Sequence, residues 1–178
     1  MTNWFIFKGD ILDLRADGLI CSANPSLNLS GGVGGAFLLQ YGSQMQDFLH
    51  AHLQSTGRRI IEPGQVVMAP PCGSPFAAVA HAVAVGVFYE TNAHTIRTAY
   101  QNALEQLVRA NCRTVVAACL GCGYGRCSIS EFVESVTDLA RHPFPPLESV
   151  TFATTNTDLA HALTKIFKFG KRDDDAPR

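Results

Sequence analysis

Twice in this chain a short apolar run passes straight into a cluster of glycines and then into a segment that can turn helical. Few folds accommodate that succession. The first instance is Gly18 to Ser22, followed within residues 24–42 by Gly31, Gly32, Gly34 and Gly35 and by a helical start near Ala36. The second is Thr114 to Cys119, then Leu120-Gly-Cys-Gly-Tyr-Gly125, then Ser128-Ile-Ser-Glu131. Glycine lets backbone N–H groups approach an anion with no Cβ in the way, and the first turn of a helix adds unpaired donors and the positive end of its dipole. Strand, glycine loop and helix start is thus the construction of a phosphate cradle, although four glycines in five residues also make a plain flexible turn.

The rest of the chain alternates in the same manner. Trp4 to Lys8 reads as an opening strand, and Ala16 to Cys21 as a buried strand that delivers Asn24 at its C-terminal end. After the first glycines a helix begins over Ala36 to Leu39, is interrupted by Gly42 and resumes over Gln44 to Leu53. Gln65 to Ala69 and Phe76 to Val85 are β-rich, parted by the breakers Pro70 to Pro75. Ile96, Ala99, Tyr100, Ala103, Leu104, Leu107 and Val108 trace one apolar helical stripe. Ser128 and Glu131 have the form of a capping box ahead of a second stripe through Phe132, Val136 and Leu139. A last strand over Ser149 to Ala153 leads to a helix from about Asn156, with Leu159, Leu163, Ile166 and Phe167 on its buried side. Strands alternating with helices predict one α/β domain with helices on both sheet faces. Residues 171–178, charged and ending near a proline, are expected to be disordered.

Several function classes are excluded. A formal charge of −1 gives no footprint for long nucleic acid, which calls for clustered Lys and Arg. No apolar run reaches the roughly 18 to 20 residues of a membrane span, and the N-terminus lacks a basic region followed by a hydrophobic stretch, so a soluble, cytoplasmic protein is expected. Lysine occurs only at 8, 165, 168 and 171, and neither glycine cluster has the P-loop form; nor does the first match the G-x-G-x-x-G fingerprint with its acidic partner. What remains is a diphosphate site that depends on backbone N–H groups and carries little countercharge. The six cysteines show no regular framework and are expected to be reduced. Cys119, Cys122 and Cys127 lie close in sequence, and a thiol redox or metal protein built on them is a separate reading, although a structural zinc site lacks its remaining ligands.

Taken in order, these residues resemble the macrodomain family, which binds ADP-ribose. Gly9, Asp10 and Ile11 are similar to its opening G-D-I, Asp17 to Asn24 to its strand ending in N-A-A-N, and Gly31, Gly32, Val33 and Gly34 to its first phosphate loop. Leu120, Gly121, Cys122, Gly123, Tyr124 and Gly125 are similar to its second loop, and Thr155 and Asn156 fall where the family contacts the adenine side. The resemblance covers nearly the whole chain, placing a macrodomain at 1–170. It implies a three-layer α/β/α fold with a mixed central sheet of six or seven strands. Under it Asp10 accepts from the adenine amino group, where a turn cap is the alternative. Asn24 holds the distal ribose and helps place a water, where an Asn-Pro turn residue is the alternative. Tyr124 packs on the distal ribose. No cofactor and no metal are implied, and the partner is ADP-ribose or an ADP-ribosylated protein met by a monomer.

The sequence also departs from that pattern. Cys21 stands for the first asparagine, and Leu29 and Ser30 stand where many relatives have His and Gly. Gly34 occupies the position where one hydrolase branch places a water-activating aspartate, and no lysine follows to serve as another branch's base. Some relatives without the aspartate hydrolyse nonetheless, with the diphosphate assisting a water. Two readings of the family's function result: an ADP-ribose-binding macrodomain that hydrolyses ADP-ribosylated proteins or O-acetyl-ADP-ribose, with Asn24 as its catalytic residue, and a reader without turnover.

Overall fold

The structure is a computed structural model and describes residues 1–169, so the expectation for 171–178 falls outside the described residues. In chain order the elements are β1 (Asn3–Lys8), a short 3-10 turn (Ile11–Asp13), β2 (Gly18–Ala23), α1 (Gly32–Tyr41), α2 (Gln44–Thr56), β3 (Val66–Ala69), β4 (Ala78–Val83), α3 (Ala93–Arg109), β5 (Thr114–Ala118), α4 (Ile129–Ala140), β6 (Ser149–Thr154), α5 (Thr157–Thr164) and β7 (Lys168–Phe169). The strands form one seven-stranded sheet in the order β3-β4-β2-β5-β6-β1-β7. β3 runs antiparallel to β4 and every other pairing is parallel, so the sheet is mixed as expected.

Strand periodicity divides the core in two. On β2, Leu19 and Cys21 belong to one cluster and Ile20 to the other; on β5, Val116 and Ala118 oppose Val115 and Ala117. One cluster takes Phe37 of α1 and Met45, Leu49 and Leu53 of α2, and the opposite one takes the apolar stripes of α3, α4 and α5. Helices therefore cover both faces, the three-layer arrangement that parallel strands buried on both sides require. Each fully buried Leu, Ile or Phe in these layers contributes roughly 1.5–3 kcal/mol. On the α3 side Tyr100, Phe132 and Phe152 pack edge to face, with centroids 5.4 Å apart for Tyr100–Phe152. The Tyr100 hydroxyl donates to Ala118 O at 2.6 Å and accepts Leu120 N–H at 2.9 Å, joining the end of β5 to the second residue beyond it.

Three features differ from the sequence reading. Helix α1 begins at Gly32 rather than near Ala36, because the glycines form its first turn instead of a loop ahead of it. Ile166 and Phe167 lie beyond the end of α5, where Phe167 is still buried but Ile166 is 40% exposed. β7 was not foreseen; two residues at the sheet edge carry no periodicity to read. Among the described residues no helix is long and apolar enough to cross a membrane.

Candidate functional site

Five adjacent strands, β4, β2, β5, β6 and β1, end on the same edge of the sheet, and the residues just beyond them line one cavity of about 610 Å³. Ligands of open α/β sheets bind at such C-terminal edges. Val85 comes from β4, Asn24 from β2, Cys119 from β5, Thr154 from β6, and Gly9 and Asp10 from β1.

Helix α1 points its N-terminus at this cavity, and its first turn has no side-chain cap. The N-cap residue is Gly31, at φ 68°, ψ 172°, and the first bond of the turn runs from Gly35 N–H to Gly31 O at 2.9 Å. Gly31, Gly32, Val33 and Gly34 all line the cavity. A Cβ on Gly32 would meet nothing within 4 Å, so this glycine faces open space. A Cβ on Gly31 would come within 2.7 Å of Tyr124 Oη, so the second loop lies directly against the first. That second loop doubles back tightly: Cys122 N–H donates to Cys119 O at 3.3 Å, Gly121 sits at φ 77°, and the Gly121 carbonyl fills the space a Cβ on Gly125 would need. Gly121, Cys122, Gly123, Tyr124 and Gly125 share the cavity with the first loop. The two turns converge.

Leu120 does not join them. It is fully buried in the α3–α4 core, its N–H is taken by Tyr100, and it does not line the cavity; two residues past the end of β5 the strand's alternation has lapsed, and its side chain joins the cluster of Val115 and Ala117. The remaining predicted positions, Gly9, Asp10, Ile11, Asn24, Thr155 and Asn156, all reach the wall.

Three of these are already employed by the backbone. Asp10 Oδ1 accepts Leu12 N–H at 2.9 Å and caps the 3-10 turn, which leaves further acceptor capacity on the carboxylate. Asn156 Oδ1 accepts from Asp158 and Leu159 N–H at 2.9 and 3.0 Å as the N-cap of α5. Asn24 holds its own turn: Oδ1 accepts Asn28 N–H at 3.1 Å and the Ser26 hydroxyl at 3.2 Å, while Nδ2 donates to Asn28 O at 2.8 Å. From α2, Gln46 clamps the same segment through Leu29 N–H at 2.6 Å and Leu27 O at 2.9 Å, and His50 Nε2 lies 2.9 Å from Asn28 Oδ1.

The sequence reading missed Asn28, Ser30, Val85, Tyr89 and Cys119 as cavity residues. Asn28 and Ser30 stood inside the recognised loop and could have been found from it. Tyr89 had no signal, being brought in from β4. Among the described residues that line the cavity, Asp10 alone carries a charge.

The thiol cluster has little reactive character. Burial pushes Cys119 up to about 12 and raises Cys122 further with help from the neighbouring thiols; Cys127 is raised by burial and by Glu131. A thiol held protonated at neutral pH is a poor nucleophile and ligand. Among the described residues no group of His, Cys, Asp and Glu is arranged to hold a metal ion.

A glycine-built cavity at the C-terminal edge of a mixed sheet agrees with what the comparisons found: residues 20–136 match the Macro domain family model, and the chain belongs to that family. It is 32% identical over 173 residues to a protein of Escherichia coli (strain K12) named O-acetyl-ADP-ribose deacetylase, across 93% of this chain and 95% of that one. A protein of the same name from Enterobacter sp. (strain 638) is 31% identical across 79% and 81%. In fold it is similar to a mutant of the Oceanobacillus iheyensis macrodomain with ADPR, at TM-score 0.80 and 17% identity, over 90% of this chain and 89% of that one. The Trypanosoma brucei macrodomain in complex with ADP-ribose superposes at TM-score 0.75 and 18% identity, over 92% and 68%.

Proposed function

We propose that this chain is a cytoplasmic, monomeric macrodomain that binds ADP-ribose, free or attached to protein, and slowly hydrolyses ADP-ribosyl esters. The observation that carries the reading is the convergence of the uncapped first turn of α1 and the 121–125 turn on one cavity. Amide donors and the helix dipole then neutralise the pyrophosphate without a cation. Asp10 accepts from the adenine amino group with the acceptor capacity its cap leaves, and Thr155 and Asn156 border that side. Asn24 and Tyr124 take the distal ribose. The names of the relatives support an ester substrate such as O-acetyl-ADP-ribose. Six free cysteines fit a reducing compartment.

In such a site hydrolysis proceeds without a protein general base. Water attacks the ester carbonyl, the ribose oxygen leaves, and the proton passes by way of the ligand's own phosphate. A reader without turnover is the second reading, and one observation favours it: Asn24 spends Oδ1 and one of its two Nδ2 N–H groups on its own turn, leaving a single donor for the ribose and no acceptor for a water.

Calorimetric titration tests the binding. ADP-ribose is expected to bind more tightly than ADP, and ADP more tightly than AMP. Gly32→Glu, which sets a negative side chain in the open space before α1, is expected to abolish the response in a folded protein; an undiminished response would remove the first cradle from the account. Timed release of acetate from O-acetyl-ADP-ribose then separates the two readings, a flat trace at high protein concentration leaving only the reader.

A further inference from the structure

Two aromatic side chains that line the cavity stand in water, Tyr124 at 73% and Tyr89 at 46% exposed, and Phe88, next to Tyr89 in the chain, is 79% exposed. The turn that carries Phe88 and Tyr89 is built rather than loose. Gly86 N–H donates to Glu90 O at 2.9 Å, Tyr89 N–H to Gly86 O at 3.0 Å, and Phe88 N–H to Glu90 Oε2 at 3.0 Å. The Glu90 carboxylate lies in the space a Cβ on residue 86 would take. Tyr89 sits at φ 62°, the left-handed region that a bulky L residue seldom adopts. Its carbonyl accepts Arg126 N–H at 3.3 Å, which ties the turn to the second glycine loop. The Tyr89 and Tyr124 rings lie with centroids 6.5 Å apart and planes at 51°, and both line the cavity.

A tyrosine held at positive φ, anchored on both sides and left exposed is placed for a ligand rather than for the core. We infer that Tyr89 and Tyr124 form a notch for a planar aromatic group on the anomeric carbon of the distal ribose, and that the site prefers ADP-ribose derivatives carrying such a group over ADP-ribose itself. This rests on the diphosphate lying between the two glycine loops, since only then does the distal ribose emerge beneath Tyr124. At this spacing the two rings are themselves an aromatic pair, so a third ring does not enter between them but stacks offset on the exposed face of one with its edge toward the other, the arrangements aromatic pairs favour. The notch suits a neutral or cationic ring: the charged lining residue, Asp10, follows β1, whereas Tyr89 follows β4 at the opposite end of the row of strand ends. Phenol faces also attract positive charge.

The probes are ADP-ribose and the α and β anomers of NAD, which carry a cationic nicotinamide ring on that carbon in its two configurations. By calorimetry on the full chain, one anomer is expected to bind on the order of tenfold more tightly than ADP-ribose, as one stacked ring supplies. Tyr89→Ala should bring the ratio of the two affinities to about one, and Tyr89→Phe should keep it. If ADP-ribose binds while neither anomer binds more tightly, or if the preference survives in Tyr89→Ala, the notch is refuted and the diphosphate site stands. Binding of none of the three removes the diphosphate site and the notch together.

Discussion

A Cβ on Gly34 would lie 3.2 Å from Leu29 Cδ2 and 3.4 Å from Leu29 Cα, and Leu29 is buried. The residue that stands in place of the hydrolase-branch aspartate is thus hemmed in by another departure from the family pattern, and the two belong together. Gly34→Asp alone is expected to collide with Leu29 and bring no gain in ester hydrolysis. Leu29→Ala combined with Gly34→Asp should accelerate acetate release over the parent on the order of a hundredfold, the usual scale of a positioned general base. The double variant should also lose roughly 2–5 kcal/mol of stability from the trimmed core side chain. Equal rates for the single and double variants in a timed assay would show that Leu29 is no obstacle. Both departures were visible in the sequence, whereas their contact was not. Leu29 and Gly34 meet only because Gln46 of α2 pins the 27–29 segment over the start of α1.

Helix α4 begins immediately beyond the second glycine loop, and its start is the element most fully legible beforehand. Ser128 and Glu131 form the reciprocal pair that their spacing predicts: Glu131 N–H donates to Ser128 Oγ at 3.2 Å and Ser128 N–H to Glu131 Oε2 at 2.9 Å. Accepting the Ser128 N–H and hydroxyl holds the Glu131 carboxyl below its ordinary range, so the cap is present above that range and is lost as the pH falls through the lowered value. Ser128→Ala is expected to cost about 1 kcal/mol in urea unfolding; an unchanged midpoint would mean that the loop, not the cap, fixes the start of the helix. The start of α1 was misread for the opposite reason. Glycine is among the poorest helix formers, so propensity argued against a first turn made of Gly32, Val33, Gly34 and Gly35. Tertiary packing overrides that preference, with Phe37 and Leu29 buried beneath the turn and its N-terminus open to the cavity.

At the scale of the whole molecule, His81 is expected to contribute to acid sensitivity. It lies on interior strand β4 opposite Cys21 of β2 and Val67 of β3, is fully buried, and among the described residues neither ring nitrogen has a hydrogen-bond partner. Burial without a partner lowers it from 6.5 to about 4. The unfolded chain therefore takes up a proton first as the pH falls. Stability is whole above about 6.5 and is lost progressively down to about 4, by roughly 3 kcal/mol from this group. Urea midpoints at pH 7, 5 and 4 should decline accordingly, and His81→Leu should flatten that part of the slope. A variant as acid-labile as the parent would place the effect on the carboxylates, among them Asp17, whose carboxyl is held low by Arg113 and Thr114 N–H at 2.8 and 2.9 Å.

The succession of β1 to β6 and the helices along the chain, the apolar stripe of α3, the cap of α4 and the two glycine clusters were all determined by the sequence itself, because each depends on neighbours a few residues apart. The strand order was not. β2 lies beside β5 although α1, α2, β3, β4 and α3 intervene in the chain, and that pairing sets Gly31 against Tyr124 and makes one cavity of two turns. Pairings across such separations, like the burial of Leu120, the orphaned His81 and the arrival of Tyr89 at the cavity, are decided by how the whole sheet packs between its helices, which no local pattern of residues encodes.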